Sequence, residues 1–338
     1  MDYLDLLYDY LLSQGIAHPD WMLASMAGAL TAFFVQLHYW LGRYGGLPRF
    51  RNNRGIRPQI PSPPVSIVVV IRENGYYFIE NYLPLLLGQR YDEFEVIAVD
   101  CSYDEEIGEL LHEKSLACSR LHVTAIKQQR SAGHGTKLAL TVGIKACSYE
   151  HIVFTTTDCY PSSDKWLSLM AKGFINGDIV IGYCGIERRK GLANRLIRCS
   201  RLAGSVRWLS AATRGRAYRG IAGNIGYTKS LYFESRGFNY LNMEIGDDDL
   251  FIQKIATPDN VSVVMNPAAT MRQVPFGGLG WWRAVRRFYA YSFRYYPARV
   301  KRSVRTELSS RLLFFALSAT AALLLPPPLI AVPLSLVL

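Results

Sequence analysis

Val65-Ser66-Ile67-Val68-Val69-Val70-Ile71 is a run in which every side chain but one is aliphatic and most are β-branched. A strand with one face in water alternates apolar and polar residues. A strand apolar at nearly every position is covered on both faces, as in a parallel sheet. The pattern repeats. Glu95-Val96-Ile97-Ala98-Val99-Asp100 predicts a second strand, Leu121–Ile126 a third and His151-Ile152-Val153-Phe154-Thr155 a fourth. Helical stretches over Tyr77–Gln89, Glu105–Cys118 and Thr136–Cys147 separate them. Strand and helix in turn predict an α/β fold with a mostly parallel sheet flanked by helices.

Such sheets bind ligands at the carboxyl ends of their strands. The polar residues there are Arg72-Glu73-Asn74, then Asp100 with Ser102 and Asp104, then Asp158 after Thr155-Thr156-Thr157. Asp100 suits a nucleobase or a ribose hydroxyl, and Asp158 suits a divalent cation that neutralises phosphates. Either aspartate taken singly also suits a turn or a helix N-cap. Downstream, Asp247-Asp248-Asp249 lies between Gly246 and Leu250, with arginine-rich stretches on both sides. Adjacent carboxylates raise one another's pKa, so the triplet points to a cation, a metal or a proton-transfer role, or else to a solvated turn or helix N-terminus.

The 338 residues carry a formal charge of +11, and 50% of them are hydrophobic. That length holds one domain of about 200–250 residues with appendages, and the charge calls for an anionic partner, nucleic acid or membrane. The ends of the chain favour the membrane. Trp21–Gly42 contains no Asp, Glu, Lys or Arg and as a helix spans about 33 Å, the thickness of a bilayer core. Asp2, Asp5, Asp9 and Asp20 precede it, and Arg43, Arg49, Arg51, Arg54 and Arg57 follow it, which places the N-terminus outside and the main domain in the cytoplasm. A second charge-free run, Leu312–Leu338, is broken by Pro326-Pro327-Pro328. It reads as one kinked span, a re-entrant hairpin, two short segments or a buried hairpin. Six scattered cysteines without a CxxC pair read as reduced thiols.

Two basic stretches have helical periodicity. Arg188–Arg219 contains ten Lys or Arg and no acid, with Leu192, Leu196, Ala203 and Val206 on one stripe. Trp281, Val285, Phe288, Tyr289, Ser292 and Tyr296 form a second stripe among Arg283, Arg286, Arg287 and Arg294. Each reads either as an interfacial helix on an anionic leaflet or as a core helix with a basic outer face.

Taken in order, these motifs resemble the family 2 glycosyltransferases, which have the nucleotide-sugar-binding GT-A fold. Gln89-Arg90-Tyr91 followed by Glu95–Asp104 resembles the Gln-x-Tyr and Val-Asp-Asp-x-Ser-x-Asp elements of that family. Gly135-Thr136-Lys137-Leu138-Ala139-Leu140 resembles its Gly-Lys-x-x-Ala-Leu element, and Thr156-Thr157-Asp158 stands where the family carries Asp-x-Asp. Gly246-Asp247-Asp248-Asp249-Leu250 falls on Glu-Asp-x-Asp-Leu, and Arg283-Ala284-Val285-Arg286-Arg287 on Gln-x-x-Arg-Trp of the membrane-bound polysaccharide synthases, with only Arg286 matching.

The resemblance implies an inverting transfer from a nucleotide-sugar donor to a lipid-linked or polysaccharide acceptor at the cytoplasmic face of a membrane. It implies Asp247 as general base with Asp248 and Asp249 in support; a shift of one residue makes Asp248 the base instead. Donor-binding residues would be Glu73, Asp100, Ser102, Lys137, Asp158 and Arg286. Asn224, Arg283 and Arg287 would lie on the acceptor or phosphate side. With Thr156 in place of the first carboxylate, Asp158 alone remains for Mg2+ or Mn2+, and phosphates would complete the coordination. The expected partners are the sugar donor, the acceptor and anionic membrane lipids, with no nucleic acid. The expected layout is an extracytoplasmic segment over 1–20, a transmembrane helix over 21–42, a basic linker over 43–64, a catalytic domain over 65–275, interfacial helices over 276–310 and a membrane segment over 311–338. A non-catalytic donor-binding scaffold and a basic nucleic-acid-binding protein are the competing classes.

Overall fold

The computed structural model describes residues 3–16, 18–47, 63–126, 135–241 and 246–324. Arg49, Arg51, Arg54, Arg57 and Pro326-Pro327-Pro328 lie outside the described residues. In chain order the helices are α1 (Tyr3–Ser13), α2 (Pro19–Leu37), α3 (Gly75–Asn81), α4 (Leu83–Leu87), α5 (Glu105–Ala117), α6 (Gly135–Ala146), α7 (Trp166–Gly173), α8 (Leu192–Ala212), α9 (Lys229–Glu234), α10 (Leu250–Ile255), α11 (Gly278–Ser292) and α12 (Ala298–Leu324). The strands are β1 (Val65–Ile71), β2 (Phe94–Asp100), β3 (Leu121–Ala125), β4 (His151–Thr156), β5 (Cys159–Pro161), β6 (Ile179–Gly182), β7 (Cys184–Ile186), β8 (Ile225–Thr228), β9 (Val261–Val264) and β10 (Met271–Gln273). They divide between two compact units, Arg49–Tyr295 and Met1–Pro48 with Tyr296–Leu338.

The first unit is built on a seven-stranded sheet in the order β3-β2-β1-β4-β8-β6-β9. β1 pairs in parallel with β2 and with β4, and only β8 runs against its neighbours. The aliphatic run is the centre of this sheet, and its side chains are fully buried apart from Val70. Its register sets Ile71 against Asp100 of β2 and Val70 against Thr156 of β4. The carboxyl ends of three adjacent strands therefore meet at one edge. β5, β10 and β7 form a smaller three-stranded sheet.

The stretch over Tyr77–Gln89 forms two helices rather than the single one expected. Tyr82, at φ −111°, ends α3, and Pro84 opens α4 at its first turn, the position where proline is tolerated. α6 lies on β1 and β2 with no room for a side chain at Gly143, where a Cβ would meet Val68 Cγ1 at 2.8 Å and Val99 Cγ2 at 2.9 Å. This close seat fixes the helix that carries Lys137.

In the second unit α2 continues as a π-helix over His38–Tyr44 and packs on α12. Gln36, a polar residue within this apolar segment, is buried in that contact. Its Nε2 donates to the Glu307 carbonyl at 2.8 Å and to Ser310 Oγ at 2.6 Å. Glu307 accepts from Tyr44 and pairs with Arg311. α12 runs unbroken through residues 310 and 311, where the composition turns from basic to apolar. Pro19–Tyr44 and Ala298–Leu324 are long and apolar enough to cross a membrane, with mean hydropathy of 1.3 and 1.4 in their most apolar windows.

Replacing Gly143 by valine is expected to cost about 1–3 kcal/mol, because the added methyls have nowhere to go without moving α6 off the sheet. Thermal melting of the detergent-solubilised variant checks this, and a melting temperature equal to wild type would contradict the close seat.

Candidate active site

At the shared edge of β1, β2 and β4, Asp100 accepts through Oδ1 from the backbone N–H of Ser102 at 2.9 Å and from its hydroxyl at 2.7 Å. Ser102 thereby orients Asp100 and leaves Oδ2 outside this turn. Asp104 caps α5 through the Glu106 N–H. Glu73 is exposed at the end of β1, and its neighbour Arg72 donates to Thr136 Oγ1 at the start of α6. Asn74 and Tyr103 both hold positive φ, 58° and 59°, an uncommon backbone for side chains other than glycine. The sheet brings Glu73, Asp100, Ser102 and Asp158 to one edge, as the strand-end pattern requires.

Asp158 is bonded on both oxygens. Thr156 donates to Oδ1 at 2.6 Å and Gln273 to Oδ2 at 2.8 Å. Gln273 in turn accepts through Oε1 from Arg201 of α8 at 2.6 Å. Neither Gln273 nor Arg201 was foreseen. They lie far from Asp158 in sequence, and no pattern marks the short strand β10. Among the described residues no group of three His, Cys, Asp or Glu is arranged to hold a metal. The Cys159 thiol also donates to Asp158 Oδ1 at 3.5 Å. A cation held here would have Asp158 as its protein ligand, through lone pairs that these neutral donors leave free.

The triplet follows from a turn that Gly246 opens at φ +102°. Its three carboxylates have different surroundings. Asp249 is fully buried; it accepts from Leu250 N at the start of α10 and from the hydroxyl of Ser292. Asp248 is also buried and accepts through Oδ2 from the Tyr289 hydroxyl at 2.6 Å and from Ala222 N at 3.4 Å. Its Oδ1 is buried with no hydrogen-bond partner among the described residues. Burial raises the Asp248 carboxyl to about 8, reinforced by the Asp249 and Asp247 charges and opposed by Arg219 and the Tyr289 bond. Asp247 is half-buried, and no described side chain hydrogen-bonds to it. Burial lifts it to about 6, with Asp249 adding to the rise and Lys137 working against it.

Tyr289 and Ser292 come from one face of α11, and both stood in the stripe read from the sequence either as an interfacial helix or as a core helix with a basic outer face. Their hydroxyls were the missed signal. The Arg219 guanidinium lies 3.3 Å from the centre of the Tyr289 ring and 4.6 Å from that of Trp208 on α8, so two helices and a cation brace the donor to Asp248. Lys137 is buried and donates to the Leu241 carbonyl at 3.1 Å; burial lowers its pKa and the Asp247 charge opposes that. Arg286 is exposed one turn before Tyr289, with its guanidinium over Trp282 at 4.9 Å. Arg283 and Arg287 are exposed on the same helix.

Asn224 requires a correction. It is fully buried, its Nδ2 donates to the carbonyls of Tyr183 and Ala269 at 2.9 and 3.0 Å, and its Oδ1 accepts from Trp166 Nε1 at 2.9 Å. These bonds fasten α7 to the segments that lead into β7 and β10. No atom of the side chain is left to face an acceptor.

The sequence profile of glycosyl transferase family 2 matches residues 66–243. No curated protein matches the chain. Among solved structures it is similar to the mannosyltransferase PcManGT from Pyrobaculum calidifontis in complex with GDP-Man and Mn2+, with a TM-score of 0.62 at 18% identity, covering 93% of this chain and 89% of that one. S. aureus TarS 1–349 is a weaker likeness, with a TM-score of 0.44 at 19% identity over 63% of this chain and 60% of that one. The first likeness identifies the sheet as GT-A in type.

Asp248 gives a test by stability. Its raised pKa means that the folded chain holds this proton to a higher pH than the unfolded chain does. The associated stability is present below the ordinary carboxylate range and is lost as pH rises towards about 8. Asp248→Asn cannot ionise and still offers Tyr289 an acceptor. Its melting temperature relative to wild type should therefore climb by roughly 4–8 °C from mildly acidic to mildly alkaline pH. A difference that does not change with pH would contradict a buried, proton-retaining Asp248.

Proposed function

The chain belongs to glycosyl transferase family 2, and from that premise we propose that it is an inverting hexosyltransferase. It moves a sugar from a nucleotide-sugar donor to a lipid-linked or polysaccharide acceptor at the cytoplasmic face of a membrane. The observation that carries this reading is the difference between the three carboxylates. Asp248 and Asp249 are committed to hydroxyl donors from α11, while Asp247 has no such donor among the described residues and a pKa lifted towards neutrality. An inverting transfer needs one carboxylate able to take a proton from the attacking acceptor hydroxyl. Asp247 is that group.

The other residues take roles that suit their surroundings. Asp100, oriented by Ser102, receives the nucleoside. Asp158 would hold a divalent cation, which supplies positive charge to the departing diphosphate. Gln273 and Thr156 keep that carboxylate in place. Arg286 is exposed beside the braced Tyr289 and offers the diphosphate a planar, permanently charged donor. Exposed Glu73 is assigned to the donor, and exposed Arg283 and Arg287 to the acceptor or phosphate side. Apolar helices at both ends of the chain support work at a membrane, and the arginines after the first of them support the cytoplasmic face.

Membranes carrying the protein are expected to release nucleoside diphosphate from one member of a nucleotide-sugar panel in an acceptor-dependent manner. Asp247→Asn should lower transfer by about 10²–10⁴-fold while leaving donor binding intact. Transfer at the wild-type rate would sink the assignment, and absence of turnover with every donor would favour a donor-binding scaffold. Asp158→Ala is expected to abolish the dependence of nucleoside diphosphate binding on Mn2+.

The acid limb of the rate profile follows from the same carboxylate. The base must be ionised, so kcat/KM should fall as pH drops through about 6, where an unperturbed carboxylate would fall near 4. Lys137→Gln removes the cation that opposes this rise and should move the limb to higher pH. A limb near 4 in the wild type would rule out Asp247 as the titrating group.

A further inference from the structure

We propose that the exposed face of the first half of α8 is a docking surface for an anionic lipid leaflet. The helix divides lengthwise. On one side Ile197 and Trp208 are buried at 2% and 5% exposure. On the other, Leu192, Leu196 and Leu202 are 71%, 54% and 53% exposed, and Cys199 is exposed among them. At about 100° per residue, positions 192, 196 and 199 fall on one narrow stripe with 202 at its margin. Exposed Arg195 borders that stripe, exposed Arg188, Arg189 and Lys190 precede the helix, and no acidic residue occurs from 188 to 219.

The occupant must satisfy both the leucines and the arginines. A second copy of the chain in a two-fold contact would set this basic face against itself. Nucleic acid would pair with the arginines and leave three leucines in water. A leaflet of anionic lipid takes the leucines at the acyl boundary and the guanidiniums among its phosphates. Both readings of this segment then hold, each for one side. The inner side is a core helix whose Arg201 bonds to Gln273 and through it reaches Asp158, and the outer side meets lipid. The proposal rests on the reading of the chain as an enzyme of the membrane face, but its test does not depend on turnover.

Cys199 is the reporter. The full chain with Cys118→Ser is labelled at Cys199 with an environment-sensitive fluorophore and placed in nanodiscs of phosphatidylcholine with or without phosphatidylglycerol. A control chain carries the label at Ala117→Cys on exposed α5, with Cys118→Ser and Cys199→Ser. Expected in the phosphatidylglycerol discs are a blue-shifted emission at residue 199 and several-fold stronger quenching by acyl-spin-labelled lipid than at residue 117. Leu192→Ser with Leu196→Ser should remove the shift. Equal quenching at the two positions would overturn the proposal. So would a shift in detergent that depends on protein concentration, which marks a second copy, or one that depends on added oligonucleotide. Donor turnover in the same discs separates the two readings: turnover without quenching sinks the docking surface alone, and quenching without turnover sinks the proposed activity alone.

Discussion

Three neighbouring carboxylates can be folded into a protein interior only if something offsets their repulsion and their loss of water. Here α11 does so. Tyr289 and Ser292, one turn apart, place hydroxyls on Asp248 and Asp249, and Asp249 also caps α10. Neutral donors stabilise these groups without supplying a full positive charge. Asp248 therefore stays raised in pKa, where an arginine in direct contact would have pulled it down. Arg219, whose charge opposes that rise, lies over the face of the Tyr289 ring. Two carboxylates are thus fixed and the third keeps its chemistry.

The same constraint explains the placement of α8 and α11 against each other. Trp208 of α8 and Tyr289 of α11 hold Arg219 between them, while Arg201 of α8 reaches Gln273 and Asp158. One helix thereby supports both the strand-end carboxylate and the acidic triplet. Disturbing α8 would be felt at both ends of the candidate site, which no single loop could achieve.

The sheet was legible because a parallel strand buried on both faces carries an unbroken apolar run, and β1, β2 and β4 each have one, ending in Phe154 in β4. Strand-end aspartates were legible for the same reason, since the register fixes which residues leave the sheet together. What could not be read were bonds between residues distant in sequence. Gln273 is a single amide in a three-residue strand, and Asn224 in its glycine-rich stretch has the composition of a ligand-binding turn but serves three partners inside the core. Helix α8 was ambiguous for a different reason. Its Leu192 and Leu196 have the periodicity of a buried face, and periodicity alone does not say whether protein or something else covers it.

Thr156 deserves comparison with the carboxylate that the family places there. Its hydroxyl donates to Asp158 Oδ1, so it orients the remaining aspartate where a second carboxylate would have repelled it. A cation here would meet one negative charge fewer, and on the proposed reading more of a diphosphate's charge would fall to fixed cations of the protein. That division suits Arg286 and its neighbours Arg283 and Arg287, exposed on the helix that braces the triplet. Guanidiniums keep their charge at every physiological pH, whereas a bound cation can dissociate. On the proposed reading, the threonine at 156 and the guanidinium at 286 are two sides of one electrostatic balance.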